Sequence, residues 1–462
     1  MHQLPDKFIQ QIEHLLGSEA NDFFNGIGLI PETCIRLNPL KPSETFSDTS
    51  PVDWSNWGLR LAQRPLFVAD PLFHGGAYYV QEASSMFLEE VFNQVKAQIK
   101  NPLRVLDLCA APGGKSTLLL SLLQDNDLLV ANEIIKSRVN ILQENTIKWG
   151  RSNVVVTNND PEHFKELKNY FDVIVVDAPC SGEGMFRKDK KAIDEWSEDH
   201  VKLCAIRQQR ILADVMPALK PGGFVIYSTC TFNTTENEEN VHWLSETFNL
   251  KPVQISLPKE TDIVESKYWK GKNLFAYRFY LHKVKGEGFF IACLQKDHEP
   301  EYTTIKIKEL KINKPTAVQM EAIKPWLQGD SLSFHLHQQT VYAYPTALLS
   351  NMMYLQTALN ARIAGLNVGD LIKGKLVPNH QLALSVHLNP NIQAIEVDKE
   401  NALKFLKKEA FDPPANLPQQ IYLVKYKSVG LGWVKVMANR INNYLPINWR
   451  ILKPLSELVA GD

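Results

Sequence analysis

Arg104-Val105-Leu106-Asp107-Leu108-Cys109-Ala110-Ala111-Pro112-Gly113-Gly114-Lys115-Ser116 decides the fold. The stretch passes from an apolar strand-like run, 104 to 108, through a turn of small residues into a helical segment from Ser116 to Leu123. A phosphate-binding loop of the Walker type needs glycine at the position Cys109 occupies, and the three spaced glycines of a dinucleotide fingerprint are also missing. Gly113 and Gly114 still let a ligand approach the backbone closely, beside a helix N-terminus that favours a carboxylate.

Downstream the alternation recurs. Strand-like runs at 128–132, 154–157, 173–176 and 224–227 are separated by helical stretches such as Ser137 to Lys148, which predicts a doubly wound parallel sheet. Tyr277 to His282, a turn through Lys285-Gly286-Glu287-Gly288, and Phe289 to Leu294 read as an antiparallel hairpin on one sheet edge. A Rossmann-like α/β sheet closed by such a hairpin is the arrangement of methyltransferases that use S-adenosylmethionine, although a fold alone never fixes a reaction. The methionine end of that cofactor carries the carboxylate that the 113–116 turn suits. Glu133, after the second strand, suits ribose hydroxyls, and Asp160, after the third, an adenine amino group. Taken singly, each acid reads as a loop residue or a helix cap; their order, one per successive strand end, points to a nucleoside.

Two thiols follow the fourth and fifth strands: Cys180 in Asp177-Ala178-Pro179-Cys180-Ser181-Gly182 and Cys230 in Tyr227-Ser228-Thr229-Cys230-Thr231. That sheet edge is where open α/β folds bind ligands. Carbon 5 of a pyrimidine is too weak a nucleophile to take a methyl group unaided. A thiolate added at carbon 6 turns the ring into an enamine-like species whose carbon 5 attacks, and cysteine is soft enough to add and then leave. Asp177 is placed to hydrogen-bond ring nitrogen 3, and a second cysteine assists the elimination. Cys109, Cys204 and Cys293 read as packing thiols.

Six cysteines without a Cys-x-x-Cys pair predict a reduced compartment and no metal. No apolar run approaches the roughly 18 residues of a spanning helix, and Met1-His2-Gln3-Leu4-Pro5-Asp6-Lys7 lacks the order of a secretory signal, so no membrane association and a cytoplasmic site are expected. Net charge is −1, but residues 301–462 carry 18 Lys+Arg against 12 Asp+Glu, leaving 32 against 39 for the rest. A basic C-terminal third suits an anionic partner.

At these residues the chain resembles the Sun-type RNA (cytosine-5)-methyltransferases, of the bacterial small-subunit ribosomal RNA kind. The resemblance runs through Asp107 to Lys115, Ala131-Asn132-Glu133, Asp177 to Asp189, and Ser228-Thr229-Cys230-Thr231 with Glu236-Asn237-Glu238. It extends to Arg36-Leu37-Asn38-Pro39, Tyr78 to Met86, Gly286 to Phe290, Gly430-Leu431-Gly432-Trp433 and Asn442 to Pro446, the last two resembling a PUA-like RNA-binding domain. The resemblance implies Cys230 as nucleophile on carbon 6 and Cys180 as the residue that releases methylated RNA. It also implies cofactor contacts from Cys109, Ala110, Ala111, Pro112, Gly113, Gly114, Lys115, Glu133, Asp160 and Asp177.

The expected organisation is an N-terminal α+β RNA-positioning module (1–84), a methyltransferase core (85–298), a connecting region (299–385) and the PUA-like domain (386–462). A monomer acting on an unpaired cytidine in small-subunit ribosomal RNA is expected. Transfer RNA as substrate, or a catalytically dispensable ribosome-assembly factor, are the competing readings. Arg187 and Lys188 are read as holding RNA phosphates or as solvated, and Trp433, Tyr444 and Trp449 as stacking on bases or as core.

Overall fold

The computed structural model describes residues 4–44, 46–100, 102–259, 261–298, 305, 307, 312–329, 331–411 and 417–459. Its centre is a sheet of ten strands. Strands Arg104–Asp107, Leu128–Asn132, Val154–Thr157, Phe171–Asp177 and Leu219–Thr229 form the parallel part. The first strand lies between the second and the fourth, so the chain winds one way through 128–157 and the other way through 171–229. The loops after Asp107 and after Asp177 therefore diverge, and a crevice opens between them at the carboxyl edge.

The sequence accounts for this core locally. Phe171–Asp177 is buried along its length up to Asp177, as a continuous run of Val and Ile demands of a strand covered on both faces. Helices Gly114–Leu122 and Lys136–Trp149 stand at the positions that the periodicity predicts. The long helix Glu198–Val215 is started by Ser197, whose side chain accepts from His200 N, with Glu198 and Asp199 in the first turn.

The expected hairpin pairs Lys272–Phe279 with Phe289–Lys296, and the latter lies antiparallel to Leu219–Thr229. The hairpin is not the sheet edge: Val264–Trp269 adds one strand outside it. At the opposite edge, Ala361–Ala364, from the region read as a connection, pairs antiparallel with Val154–Thr157. That region also builds a four-stranded sheet, Leu332–His337, Thr340–Pro345, Leu366–Ile372 and Lys375–Pro378. Of the polar segment 297–301, read as a boundary, residues 299–301 lie outside the described residues.

Before the core, helices Asp6–Leu16 and Ala20–Ile27 precede a four-stranded sheet of Thr33–Leu37, Thr49–Pro51, Gly58–Leu61 and Tyr78–Val80. The helices bury Phe8, Ile12 and Phe23 in one apolar cluster with Phe186, Trp196 and Phe232. At the C-terminus, Ala394–Glu396, Ile421–Tyr426, Val429–Val436 and Ile441–Asn443 make another four-stranded sheet. Trp433 is 0% exposed, with its Nε1 donating to Asn379 O at 2.8 Å, so its reading as a base-stacking residue is replaced by a core role. Trp449 is only partly buried and meets the His380 ring edge-on at 4.6 Å.

Candidate active site

The loops after the strands ending at Asp177 and Thr229 bring Cys180 and Cys230 together, Sγ to Sγ at 3.1 Å. Both are free thiols. The backbone N–H of Cys230 donates to Cys180 Sγ at 3.4 Å, and Gly184 N donates to Cys230 O at 2.8 Å. The hydrogen bond to Cys230 sulfur, reinforced by burial, pushes the Cys180 thiol well above the ordinary range, so Cys180 keeps its proton at neutral pH.

Asp177 closes the triangle. Its Oδ2 lies 2.8 Å from Lys115 Nζ and its Oδ1 accepts from Ser228 Oγ at 2.8 Å. Burial disfavours the Lys115 charge, but Asp177 more than offsets that, and Lys115 titrates above the usual lysine range. Lys115, expected only as a cofactor contact, thus joins the loop 109–115 to Asp177, with Phe289 under its ammonium at 5.2 Å from the ring centre.

A cleft of about 740 Å³ passes these groups, lined by Cys109, Ala111, Glu133, Asp177, Cys180 and Cys230 among others. A smaller cavity of about 200 Å³, lined by Tyr79, Glu82 and Lys115, shares Cys109, Ala111 and Asp177 with it. The larger volume is in the range of small-molecule sites. Gly113, at φ 115°, makes the turn that starts the helix at Gly114. Ala110 N donates to Asn132 O at 2.8 Å, and Asn145 Nδ2 to Pro112 O at 2.8 Å, so the loop 109–115 is held along its length.

Glu133 is buried; one oxygen accepts from Ile135 N at 2.8 Å and the other lies 3.5 Å from Arg138 Nη1. Arg138 in turn donates to Ala111 O at 2.6 Å, linking the acid to the loop. Asp160 caps the turn 161–166 through Glu162 N and lies 3.5 Å from Arg210 Nη2; its neighbour Pro161, rather than Asp160, lines the cleft.

Asp107, beneath the loop, was not singled out by the sequence. Its Oδ2 accepts from Ser116 Oγ at 2.6 Å while its buried Oδ1 has no partner among the described residues, and burial pushes its carboxyl up to about 7. An unpartnered carboxylate oxygen below a glycine turn, with Glu133 one strand away, fits a ligand that carries a cation and a ribose. S-adenosylmethionine is such a ligand.

Arg187 is overturned as a phosphate contact: its guanidinium is 6% exposed and lies 2.9 Å from Glu287, which Lys188 also reaches at 2.8 Å. Among the described residues no group of three or more His, Cys, Asp or Glu is arranged to hold a metal ion. No described helix is long and apolar enough to cross a membrane.

Comparison with known proteins gives a consistent set of likenesses. Residues 95–295 match the family 16S rRNA methyltransferase RsmB/F, residues 4–83 the N-terminal domain of 16S rRNA methyltransferase RsmF, and residues 392–451 the methyltransferase RsmF PUA domain. The chain is 30% identical to ribosomal RNA small subunit methyltransferase F of Vibrio parahaemolyticus, over 96% of this chain and 97% of the relative. It is 29% identical to the protein of that name from Pectobacterium atrosepticum, over 96% and 95%. Among solved structures, a methyltransferase homologue from Pyrococcus horikoshii is 28% identical with a TM-score of 0.54, covering 63% of this chain and 95% of that one. NSun6 from the same organism, at 22% identity, a TM-score of 0.52 and coverages of 64% and 99%, shares the fold.

Proposed function

The chain belongs to the ribosomal RNA small subunit methyltransferase F family, and on that premise we propose that it methylates carbon 5 of a cytidine in small-subunit ribosomal RNA through a covalent Cys230–cytosine intermediate. As a member it is an S-adenosylmethionine-dependent methyltransferase whose partner is RNA. The observation that carries the proposal is a pair of free thiols 3.1 Å apart beside Asp177 at the switch point of the sheet.

When bound, S-adenosylmethionine supplies an electrophilic methyl group. Lys115 and the loop from Cys109 to Gly114, with Glu133 and Asp177, would hold it, and the unpaired oxygen of Asp107 favours its positive charge. Cys230 adds to carbon 6 of the cytosine, forming the S–C6 bond, while the Lys115–Asp177 pair delivers a proton toward ring nitrogen 3. Cys180, whose proton is held against Cys230 sulfur, leaves Cys230 the sulfur free to attack. After methylation nitrogen 3 returns its proton to the Lys115–Asp177 pair, water takes the carbon 5 proton, and the electron pair left behind forms the C5=C6 bond as the S–C6 bond breaks and Cys230 leaves as thiolate. Cys180 assists this elimination by donating the hydrogen bond of its thiol to the expelled sulfur, which stabilises the departing thiolate.

A base stacked in a duplex hides carbon 6, so the target cytidine is unpaired or extruded. The C-terminal sheet domain positions RNA by its backbone while the cleft selects the base. The enzyme acts as a monomer. The test is methyl transfer from labelled S-adenosylmethionine to deproteinised small-subunit ribosomal RNA, assembled small subunits and transfer RNA. Label in 5-methylcytosine of ribosomal RNA is expected. Label confined to transfer RNA, or binding without transfer to any of the three, would overturn the substrate or the enzyme reading.

A further inference from the structure

Two carboxylates in the catalytic loops have no part in the chemistry above, yet both are completely buried. Glu183 lies on the Cys180 loop and Glu236 on the Cys230 loop, and each is 0% exposed. Neither meets a lysine, arginine or histidine in any hydrogen bond or ion pair among the described residues. Among the described residues their oxygens accept from backbone and side-chain N–H groups and from the Ser181 side chain, and each acid reaches across to the opposite loop. Glu183 Oε2 accepts from the backbone N–H groups of Phe232 and Asn233 at 2.9 and 3.0 Å. Glu236 Oε2 accepts from Ser181 N at 3.0 Å, one residue after Cys180. Asn233 spans both, donating to Glu183 Oε1 at 3.1 Å and to Glu236 Oε1 at 2.7 Å.

The arrangement is costly unless it does something that neutral groups do not. A buried carboxylate loses its hydration, and burial pushes the Glu236 carboxyl above the usual range. A carboxylate offers acceptor positions at both oxygens. An amide in its place turns one acceptor into a donor that faces other donors. The reward is geometric: backbone N–H groups next to each reactive cysteine are fixed to an anchor on the other loop, by charge-assisted hydrogen bonds stronger than neutral ones.

The anchoring continues outside the core. Gln11, on the helix Asp6–Leu16, donates through Nε2 to both oxygens of Glu183 at 3.1 Å. Phe8 of that helix packs on Phe186 at 4.8 Å between ring centres, and Phe23 of the next helix packs on Phe232 at 4.8 Å. One N-terminal helix thus braces the Cys180 loop and the other the Cys230 loop.

We propose that Glu183 and Glu236 are positioning residues, a reciprocal clamp that fixes the separation and mutual orientation of the Cys180 and Cys230 thiols, and that the N-terminal helical pair is part of this clamp through Gln11. Helices Asp6–Leu16 and Ala20–Ile27 then serve the catalytic loops as well as RNA. The proposal rests on the functional reading only for its consequence in catalysis; the geometry it asserts is testable on the thiols alone.

The experiment uses the full-length protein as wild type, Glu236→Gln, Glu183→Gln, Gln11→Ala and Gln11→Glu. Gln11 is partly exposed, so its variants test the clamp without opening the core. The first readout is the rate at which diamide joins Cys180 to Cys230, the diazene taking both thiol hydrogens as the disulfide forms, scored by peptide mass. The second is single-turnover methyl transfer to small-subunit ribosomal RNA, with RNA affinity and thermal unfolding measured in parallel.

The clamp predicts slower cross-linking in all four variants, with Gln11→Glu worse than Gln11→Ala because it sets a second carboxylate against Glu183. It predicts methyl transfer reduced by up to about 100-fold in the glutamate variants, as expected for displacement by about 1 Å, with RNA affinity within about twofold of wild type. Folded variants that cross-link and transfer at the wild-type rate overturn the clamp. Losses that only follow the unfolded fraction also overturn it, because scaffolding alone then explains the residues. If wild type cross-links but transfers no methyl group, the functional reading fails while cross-linking in the variants still decides the clamp.

Discussion

Arg278 and Glu238 form an ion pair whose disruption has a calculable cost. Their side chains are 4% and 3% exposed, Arg278 Nε donates to Glu238 Oε1 at 2.6 Å, and its Nη2 donates to Glu238 Oε2. The remaining Nη1 donates to Phe232 O at 2.7 Å, so the guanidinium also ties down the chain two residues after Cys230. Arg278→Met removes the cation and leaves a carboxylate buried without it. Breaking such a pair from one side costs about 3–5 kcal/mol, whereas replacing both partners by apolar groups is often close to neutral. Arg278→Met should therefore be destabilised by about 3–5 kcal/mol, and Arg278→Met/Glu238→Leu by much less. A chain of several domains has no single unfolding free energy, so the assay is native-state hydrogen exchange on the amides of strand Leu219–Thr229. At about 1.4 kcal/mol per tenfold, the single variant should exchange there roughly two to four decades faster. Acceleration below tenfold, or a double variant as fast as the single one, would refute the reasoning.

Three further outcomes are expected. Asp107 is raised in the folded state from 3.8 to about 7, so between those values the native protein binds more protons than the unfolded chain and loses stability as pH rises, by up to about 4 kcal/mol. Asp107→Asn should then melt above ligand-free wild type at pH 8, with the gap closing toward pH 4, while its affinity for S-adenosylmethionine falls; calorimetry at the two pH values checks it, and a gap that widens toward acid would contradict the assignment. A Cβ added at Gly184 meets the backbone oxygens of Gly288 at 2.7 Å and Cys230 at 2.8 Å, so Gly184→Ala should lower single-turnover methyl transfer at least about tenfold by moving the Cys230 loop. Lys115→Met removes the partner of Asp177 at 2.8 Å; the covalent RNA adduct should form at least about 100-fold more slowly, since proton transfer of this kind contributes about that much.

The parallel strands and the loops that follow them were legible because each signal is local. Val173 to Val176 can only be a doubly covered strand, and small residues with two glycines can only be a tight approach to a helix. What the sequence hid depends on partners far along the chain. Arg187 reads as a free cation until Glu287, a hundred residues later, is seen beside it. Glu183 and Glu236 stand in the sequence only as members of longer motifs, and their role shows once Phe232, Asn233 and Ser181 are seen donating to them. Ala361–Ala364 is short and half-exposed, so no alternation marks it as a strand, and it forms because Val154–Thr157 offers an open edge. Trp433 reads equally as a base-stacking residue or as core until Trp326 is seen edge-on to it at 5.5 Å.

The division of labour between the two thiols is tested most directly by incubating wild type, Cys180→Ala and Cys230→Ala with S-adenosylmethionine and small-subunit ribosomal RNA, and resolving protein-bound RNA on a denaturing gel. The account predicts a stable adduct with methylated cytosine for Cys180→Ala, neither adduct nor methylation for Cys230→Ala, and turnover without accumulated adduct for wild type. An adduct that persists in Cys230→Ala and vanishes in Cys180→Ala would reverse the roles of the two residues.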